Sequence, residues 1–481
     1  MYIPPIIPPL TIPFLLIFLV EIVLPINILT KDIAIITIGT VVSEILLYVN
    51  TIEKINIPIK VIQKEINNPF SIFTYKFSWL FSTTIPPLLL FMSFLSILEL
   101  QHALFFNTFN IISWGVFMYK LAIVGATGLV GKKILEILAT KDLPIYEYVL
   151  FSSKKSAGKV INFKGKDYVV RELTINSFVD EHFDFAIFSA GGYTSKLNSP
   201  IASKNGCIVI DNSSAFRMDN NVPLVVPEVN PEDINKNQGI IANPNCSTIQ
   251  AVIPLKVLDD NYKIKRIVYS TYQAVSGAGI NGIRDLENGL KGLPNEKFPH
   301  QIYNNCLPHI DDFLENGYTK EEEKMINETR KILHRPDLSV TATCVRVPVF
   351  NCHSESINVE LENDFDIKDL IKKLDTTQGL KVIDDVKNNL YPLACNCSGF
   401  DDVFIGRIRR DYSVKYGLNF WVVADNIRKG AATNAIQIFE KMIKSGVNWR
   451  SAFFILLLLF FLFALFVFLI CTNYKNNVYN Y

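Results

Sequence analysis

KLAIVGATGLVGKKILEILAT, residues 120–140, runs from an apolar stretch through a glycine-rich turn into an amphipathic segment. Strand, turn and helix in that order are the setting in which a glycine triplet binds a dinucleotide. Gly125, Gly128 and Gly131 are spaced G-x-x-G-x-x-G, a variant of the commoner G-x-G-x-x-G, with Thr127, Leu129 and Val130 among them. Glycines let the backbone approach a pyrophosphate, which then sits over the unpaired N–H groups of the helix start. The stretch therefore predicts a Rossmann-type α/β domain opening at residue 118.

The next strand, YEYVLFSSKKSAGK (146–159), bears on which dinucleotide is bound. Selection of NAD usually places Asp or Glu at the end of this strand for the ribose 2′-hydroxyl. Here Ser152, Ser153, Lys154, Lys155 and Ser156 offer hydroxyls and positive charge instead. These suit a 2′-phosphate, so NADP is the expected cofactor, with a merely solvated basic loop as the alternative. FDFAIFSAGG (183–192) and GCIVIDNSSAF (206–216) read as further strands ending in small or polar residues, where an open α/β sheet meets its ligand. Arg217 follows the second, on the ligand side.

IIANPNCSTIQAV (240–252) wedges Cys246 between a proline-asparagine turn and a helix start. Partial positive charge at a helix N-terminus favours thiolate over thiol, which predicts a lowered pKa and a nucleophile. A capped core cysteine is the alternative that position alone leaves open.

The 481-residue chain carries 47 Lys+Arg against 46 Asp+Glu, and its net charge of +1 gives no case for nucleic acid. Its eight cysteines lack metal-ligand spacing, CNC at 395–397 being too tight for a zinc pair, so no metal is expected. Free thiols suit a reducing compartment. Residues 1–117 hold only eleven charged side chains, and FSWLFSTTIPPLLLFMSFLSIL (77–98) has none. That stretch and AFFILLLLFFLFALFVFLIC (452–471) are each long enough to span a bilayer. Either a soluble domain carries membrane segments, or the flanks are upstream and downstream sequence read into the frame of a gene that starts at Met118. The second reading is favoured, because the flanks show no repeat and no polar residue placed for transport. The expected location is cytoplasmic. With real flanks it becomes membrane-anchored, with the central region facing the cytoplasm, since Lys441, Lys444 and Arg450 precede the last span.

GATGLVG (125–131), SSKKSAGK (152–159), DNSSAFRMD (211–219), VPLVVPEVN (222–230), ANPNCST (242–248), YQAVSGAG (272–279), LPHIDDF (307–313), EEEKMINET (321–329), CVRVPVFNCHSES (344–356) and ADNIRKGAA (424–432) follow one another in that order. Together they resemble the bacterial type of the aspartate-semialdehyde dehydrogenase family, over residues 118 to about 446 and neither flank. The resemblance implies an α/β fold: a Rossmann-type NADP-binding domain, 118–245 completed by 425–446, plus an α+β catalytic and dimerisation domain, 246–424. The apolar extension 1–117 and tail 451–481 stand outside it. The implied reaction is NADPH-dependent reduction of aspartyl-β-phosphate to aspartate β-semialdehyde and phosphate through a cysteine thioester. Its product serves lysine, diaminopimelate, methionine, threonine and isoleucine synthesis, and the partners implied are the small-molecule substrate, phosphate and a second copy in a homodimer or homotetramer.

Carried over position by position, the resemblance makes Cys246 the nucleophile, Gln273 the residue that orients the acyl group and His353 the base of the reverse reaction. Asn245 lies beside the nucleophile. Arg346 implies a grip on the substrate carboxylate, Glu321 on its ammonium, Lys324 and Arg217 on phosphate. Which of Glu321, Glu322 and Glu323 faces the substrate stays open, since KEEEK alone reads equally as a solvated helix face. Gly125, Thr127, Gly128, Leu129 and Val130 form the pyrophosphate turn, Lys155 and Ser156 the 2′-phosphate loop. Ser276, Gly277 and Asn426 fall near the nicotinamide. N-acetyl-γ-glutamyl-phosphate reductase shares this fold and nucleophile without needing an ammonium ligand. A catalytically dead scaffold would be expected to lose Cys246 or His353, and the chain keeps both.

Overall fold

A computed structural model describes residues 118–444. Both apolar flanks, and with them the start-site and membrane-span readings, lie outside the described residues. Among those residues no helix is long and apolar enough to cross a membrane.

The first sheet is built from β1 (Tyr119–Val124), β2 (Ile145–Ser152), a β3–β4 hairpin beside it (Val160–Phe163, Lys166–Val169), β5 (Arg171–Glu172), β6 (Phe185–Phe188), β7 (Ile208–Asp211) and β8 (Ile240–Ala242). Its strand order is β5-β2-β1-β6-β7-β8 and every pairing is parallel. A parallel sheet is covered on both faces, which is why Leu121 to Val124 form an unbroken apolar run with no exposed side chain. Helix α1 (Leu129–Ala139) lays Ile134, Leu135 and Leu138 on one face. The helical segment 434–444 returns to the same core with Ile436, Ile438 and Phe439. Phe439 meets Phe185 edge to face at 5.0 Å. Each such buried side chain stabilises by roughly 1.5–3 kcal/mol, enough to hold the chain's return across this domain. The opposite face is closed by α2 (Gly192–Lys204) and by Phe151, Phe178, Phe183 and Phe188.

Glycine is required at two points of the β1–α1 turn. Gly125 has φ +88°, and a Cβ there would stand 2.6 Å from the Ser189 carbonyl oxygen. A Cβ on Gly131 would stand 2.1 Å from the Gly125 carbonyl oxygen.

The second sheet is mixed, in the order β10-β9-β11-β14-β13-β12. Its strands are β9 (Ile264–Gln273), β10 (Ser339–Arg346), β11 (His353–Leu361), β12 (Leu380–Val382), β13 (Val403–Asp411) and β14 (Gly417–Ala424). Burial alternates along β11: Ile357, Val359 and Leu361 enter the core while Ser356, Asn358 and Glu360 face outward, half-buried. The inner face packs against α3 (Cys246–Tyr262), α5 (Lys320–Ile332) and α6 (Ile367–Asp375). Helix α4 (Ile280–Leu290) lies apart, over Val275 and Ile302.

Candidate active site

One end of the second sheet gathers the chemistry. Gln273 ends β9, Arg346 ends the parallel β10 and is in register with it, and His353 opens the antiparallel β11. Alternation along each strand sends these three side chains inward, and all are buried. Helix α3 begins at the same end, so Cys246, its first residue, meets them.

Cys246 Sγ lies 3.2 Å from His353 Nε2. The other ring nitrogen, Nδ1, accepts the Ala274 backbone N–H at 3.0 Å. In the neutral ring the proton therefore resides on Nε2, facing the sulfur. Burial, with Arg346 adding to it, holds His353 well below the usual histidine range, so the ring is neutral. The thiol departs from expectation. Burial and the Glu321 carboxylate push Cys246 up to about 12, against the pull of Arg217, Arg346 and the Ser247 amide. The helix start was expected to favour thiolate, and the Ser247 amide does pull that way, but burial outweighs it, and Asn245 Oδ1, the N-cap, shares that N–H at 2.9 Å and takes that of Thr248 at 3.3 Å.

A buried charge cluster surrounds the thiol. Of the three glutamates at the start of α5, Glu321 is the one that faces the site: it accepts from Asn245 Nδ2 at 2.9 Å, Lys324 Nζ at 3.1 Å and Gln273 Nε2 at 3.2 Å. Glu322 instead closes a capping box with Thr319, and Glu323 bonds Asn316 and Asn327 on the outside. Burial pushes the Glu321 carboxyl up, yet Lys324 and the two amides outweigh it and leave the group below the usual range. Lys324 also bonds Asp311 at 2.6 Å. Arg346 donates to the Ala274 carbonyl at 2.7 Å and lies over the Phe298 ring. Arg217 is anchored through Nε to Asn243 O, through one terminal nitrogen to Asn212 O and through the other to Glu328. A guanidinium has five N–H donors, so two of its five remain for another ligand. Asn245, next to Cys246, has its side chain committed to capping α3 and to Glu321.

The predicted cofactor residues fall into two groups. Thr127 Oγ1 is 2.7 Å from Ser152 Oγ, tying the glycine turn to the end of β2, and Gly128, Leu129 and Val130 carry the turn into α1. Lys155, exposed, and Ser156 form a short turn directly after β2. This bare backbone cradle, with cationic side chains at the adjacent strand end, fits a phosphorylated dinucleotide. Ser276 and Asn426 bond each other, and Asn426 Oδ1 also accepts the Cys352 N–H at 2.9 Å. Gly277 sits against two of these side chains: a Cβ there would stand 2.8 Å from Arg346 and 3.1 Å from the His353 ring. His309 stacks on Phe313 at 4.1 Å and takes no part in the cluster.

Some participants escaped the sequence reading. Glu328, buried, accepts the Asn245 backbone N–H at 2.6 Å and Arg217 at 3.0 Å. Its signal was available, since Glu321, Lys324 and Glu328 share a helix face at i, i+3 and i+7. Gly430 was read only as part of a motif. It lies in a π-helical turn, Arg428–Thr433, and a Cβ on it would stand 2.8 Å from the Cys246 Cβ. Lys429 beside it is wholly buried and bonds both Glu228 oxygens at 2.7–2.8 Å.

Two family models match the chain: "Semialdehyde dehydrogenase, NAD binding domain" over residues 120–237 and "Semialdehyde dehydrogenase, dimerisation domain" over residues 255–429. The aspartate-semialdehyde dehydrogenase of Aquifex aeolicus is 55% identical over 339 residues, 68% of this chain and 99% of that one. The enzyme of Campylobacter jejuni is 48% identical, covering 68% of this chain and 97% of its own length. A crystal structure of aspartate semialdehyde dehydrogenase II from Vibrio cholerae, complexed with ASA, superposes with a TM-score of 0.65 at 46% identity, covering 68% of this chain and 99% of that chain. That of the Candida albicans enzyme with NADP superposes at 0.56 and 26% identity, covering 69% and 100%. The chain belongs to the aspartate-semialdehyde dehydrogenase family.

Proposed function

We propose that this chain carries out the NADPH-dependent conversion of aspartyl-β-phosphate to aspartate β-semialdehyde with Cys246 as acyl carrier. The observation that carries this is the 3.2 Å Sγ–Nε2 contact, with the charges of Glu321, Arg217 and Arg346 acting on the sulfur. Attack by sulfur on the acyl phosphate forms the carbon–sulfur bond and a tetrahedral oxyanion, whose collapse restores the carbonyl, breaks the carbon–oxygen bond and expels phosphate, leaving the thioester. Lys324 and Arg217 would neutralise that leaving charge, and Glu321 and Arg346 would supply the two signs needed for an amino acid backbone. The bound nicotinamide cofactor supplies a hydride to the thioester carbon. The second oxyanion then expels the Cys246 sulfur as thiolate and releases the aldehyde. His353, with its proton on Nε2, can hydrogen-bond the sulfur and the oxygen that gains charge. The base expected from the resemblance would need the other tautomer. In the forward direction the S–H proton lost on attack can leave on the expelled phosphate, and the one proton the overall reaction takes up returns the Cys246 thiolate to the thiol.

The thiol pushed up to about 12 assigns a task to the bound state, which must bring positive charge to the sulfur or exchange the proton during attack. Lys155 and Ser156 would hold the 2′-phosphate, Ser276, Gly277 and Asn426 the nicotinamide end. Residues 118–245 with the returning helix would act as the nucleotide domain and 246–424 as the catalytic one. The half-buried outer face of the second sheet, with Tyr272 against Trp421 at 5.5 Å, supports docking of a second copy in a homodimer or homotetramer.

Cys246→Ala tests the assignment. Turnover of the semialdehyde with NADP and phosphate should vanish while the melting temperature holds. Residual turnover, or activity confined to the N-acetylated substrate, would overturn the reading.

A further inference from the structure

One carboxyl near the site has no role in the chemistry above. Glu355 is fully buried, and neither of its oxygens has a hydrogen-bond partner. The Oε1 of Gln250, equally buried, has none either. Of these three oxygens a single proton pairs two, because a neutral carboxylic acid donates through its own O–H. Tyr269 from β9, Cys344 from β10, Glu321 from α5 and Gln250 from α3 face Glu355, and none is a cation. Burial drives the carboxyl well above the usual range, outweighing the nearby Gln250 side chain, which favours the anion, and Glu321 adds to the rise.

The placement gives this pair a use. Glu355 follows His353 by two residues on β11, and Gln250 follows Cys246 by four on α3, so each shares a face with its reactive neighbour. Gln250 beside Glu355 thus repeats, one step deeper, the contact of Cys246 with His353. The two tiers are cross-linked, since Gln250 Nε2 donates to the His353 carbonyl at 3.2 Å. We infer that Glu355 is a neutral acid donating to Gln250 Oε1, and that this pair fixes the seat of α3 on β11 that sets Cys246 Sγ against His353 Nε2. Both are positioning residues, and the inference rests on Cys246 and His353 being the reacting pair.

The experiment compares wild type, E355Q and E355L as full chains. Infrared difference spectra of wild type against E355Q should show the carbonyl stretch of a protonated carboxylic acid, and its absence overturns the neutral acid. E355Q keeps an N–H donor for Gln250 and should hold kcat within about threefold, whereas E355L, which loses one buried hydrogen bond, should lose about tenfold in kcat with KM unchanged. Iodoacetamide inactivation followed against pH reads the thiol, which is faced by Glu321 from α5, Arg346 from β10, His353 from β11 and Arg217. Its profile should shift in E355L and return in E355Q. A lowered melting temperature with wild-type kcat and profile leaves Glu355 structural only and overturns the inference. If E355L does not fold, the infrared band and the E355Q profile decide. Peptide mapping of the alkylated wild type keeps the two readings apart: inactivation without label on Cys246 refutes the site, while label on Cys246 with an unshifted E355L profile refutes the brace alone.

Discussion

Gly430→Ala sets two effects of opposite sign against each other at the nucleophile. Gly430 lies in a helical turn without a positive φ, and in a helix interior alanine is favoured over glycine by about 1 kcal/mol. The added methyl would stand 2.8 Å from the Cys246 Cβ, 3.2 Å from its Cα and 3.4 Å from its carbonyl oxygen. Carbon atoms settle at about 3.5–4.0 Å, so one surface must retreat by roughly 0.7–1.2 Å. Neither retreats freely. The start of α3 is held by Glu328 and by the Asn245 cap, and the π-turn by the Lys429–Glu228 pair. Overpacking of this kind costs about 1–3 kcal/mol, which exceeds the propensity gain. A displacement of that size at the sulfur also spoils its approach to His353 and substrate, and misplacement by about 1 Å costs on the order of 100-fold in rate. Steady-state oxidation of the semialdehyde should therefore show kcat down about 100-fold with KM for NADP little changed, and calorimetry a lower melting temperature. Wild-type kcat and melting temperature in G430A would refute the seating of the π-turn on Cys246.

Glu321→Gln removes the carboxylate that holds the Cys246 thiol up, so alkylation of Cys246 should begin at lower pH than in wild type, while KM for the amino acid substrate rises because the ammonium loses its counter-ion. An alkylation profile unmoved or moved to higher pH contradicts the assigned sign. Lys155→Ala should raise KM for NADPH about tenfold and leave that for NADH unchanged, since only the former carries the 2′-phosphate. Equal effects on both cofactors would show that Lys155 is merely solvated. Lys429→Met leaves Glu228 as a buried, unpaired charge and should destabilise by about 3–5 kcal/mol in denaturant titration. Adding Glu228→Leu should recover part of that loss, and a double variant worse than the single would refute the pairing.

The sequence by itself carried everything whose physics is local. A glycine turn between strand and helix is legible because its three glycines, its apolar strand and its amphipathic helix lie within 21 residues. The helix start at Cys246 and the capping pattern before it are equally short-range, and ordered motifs were enough to place the family. Tertiary structure decided what depends on distance through space. His353 meets Cys246 across 107 residues, and Glu321 is singled out from two neighbouring glutamates only by the rotation of α5 against β9. The same holds for Glu328, whose carboxylate joins Arg217 to the turn before the nucleophile, and for the Glu355–Gln250 pair. The thiol shows the limit most directly: a helix N-terminus read in isolation lowers its pKa, whereas in the fold burial beside Glu321 outweighs the Ser247 amide and raises it. Desolvation and charge proximity are properties of packing, and no local stretch of sequence contains them.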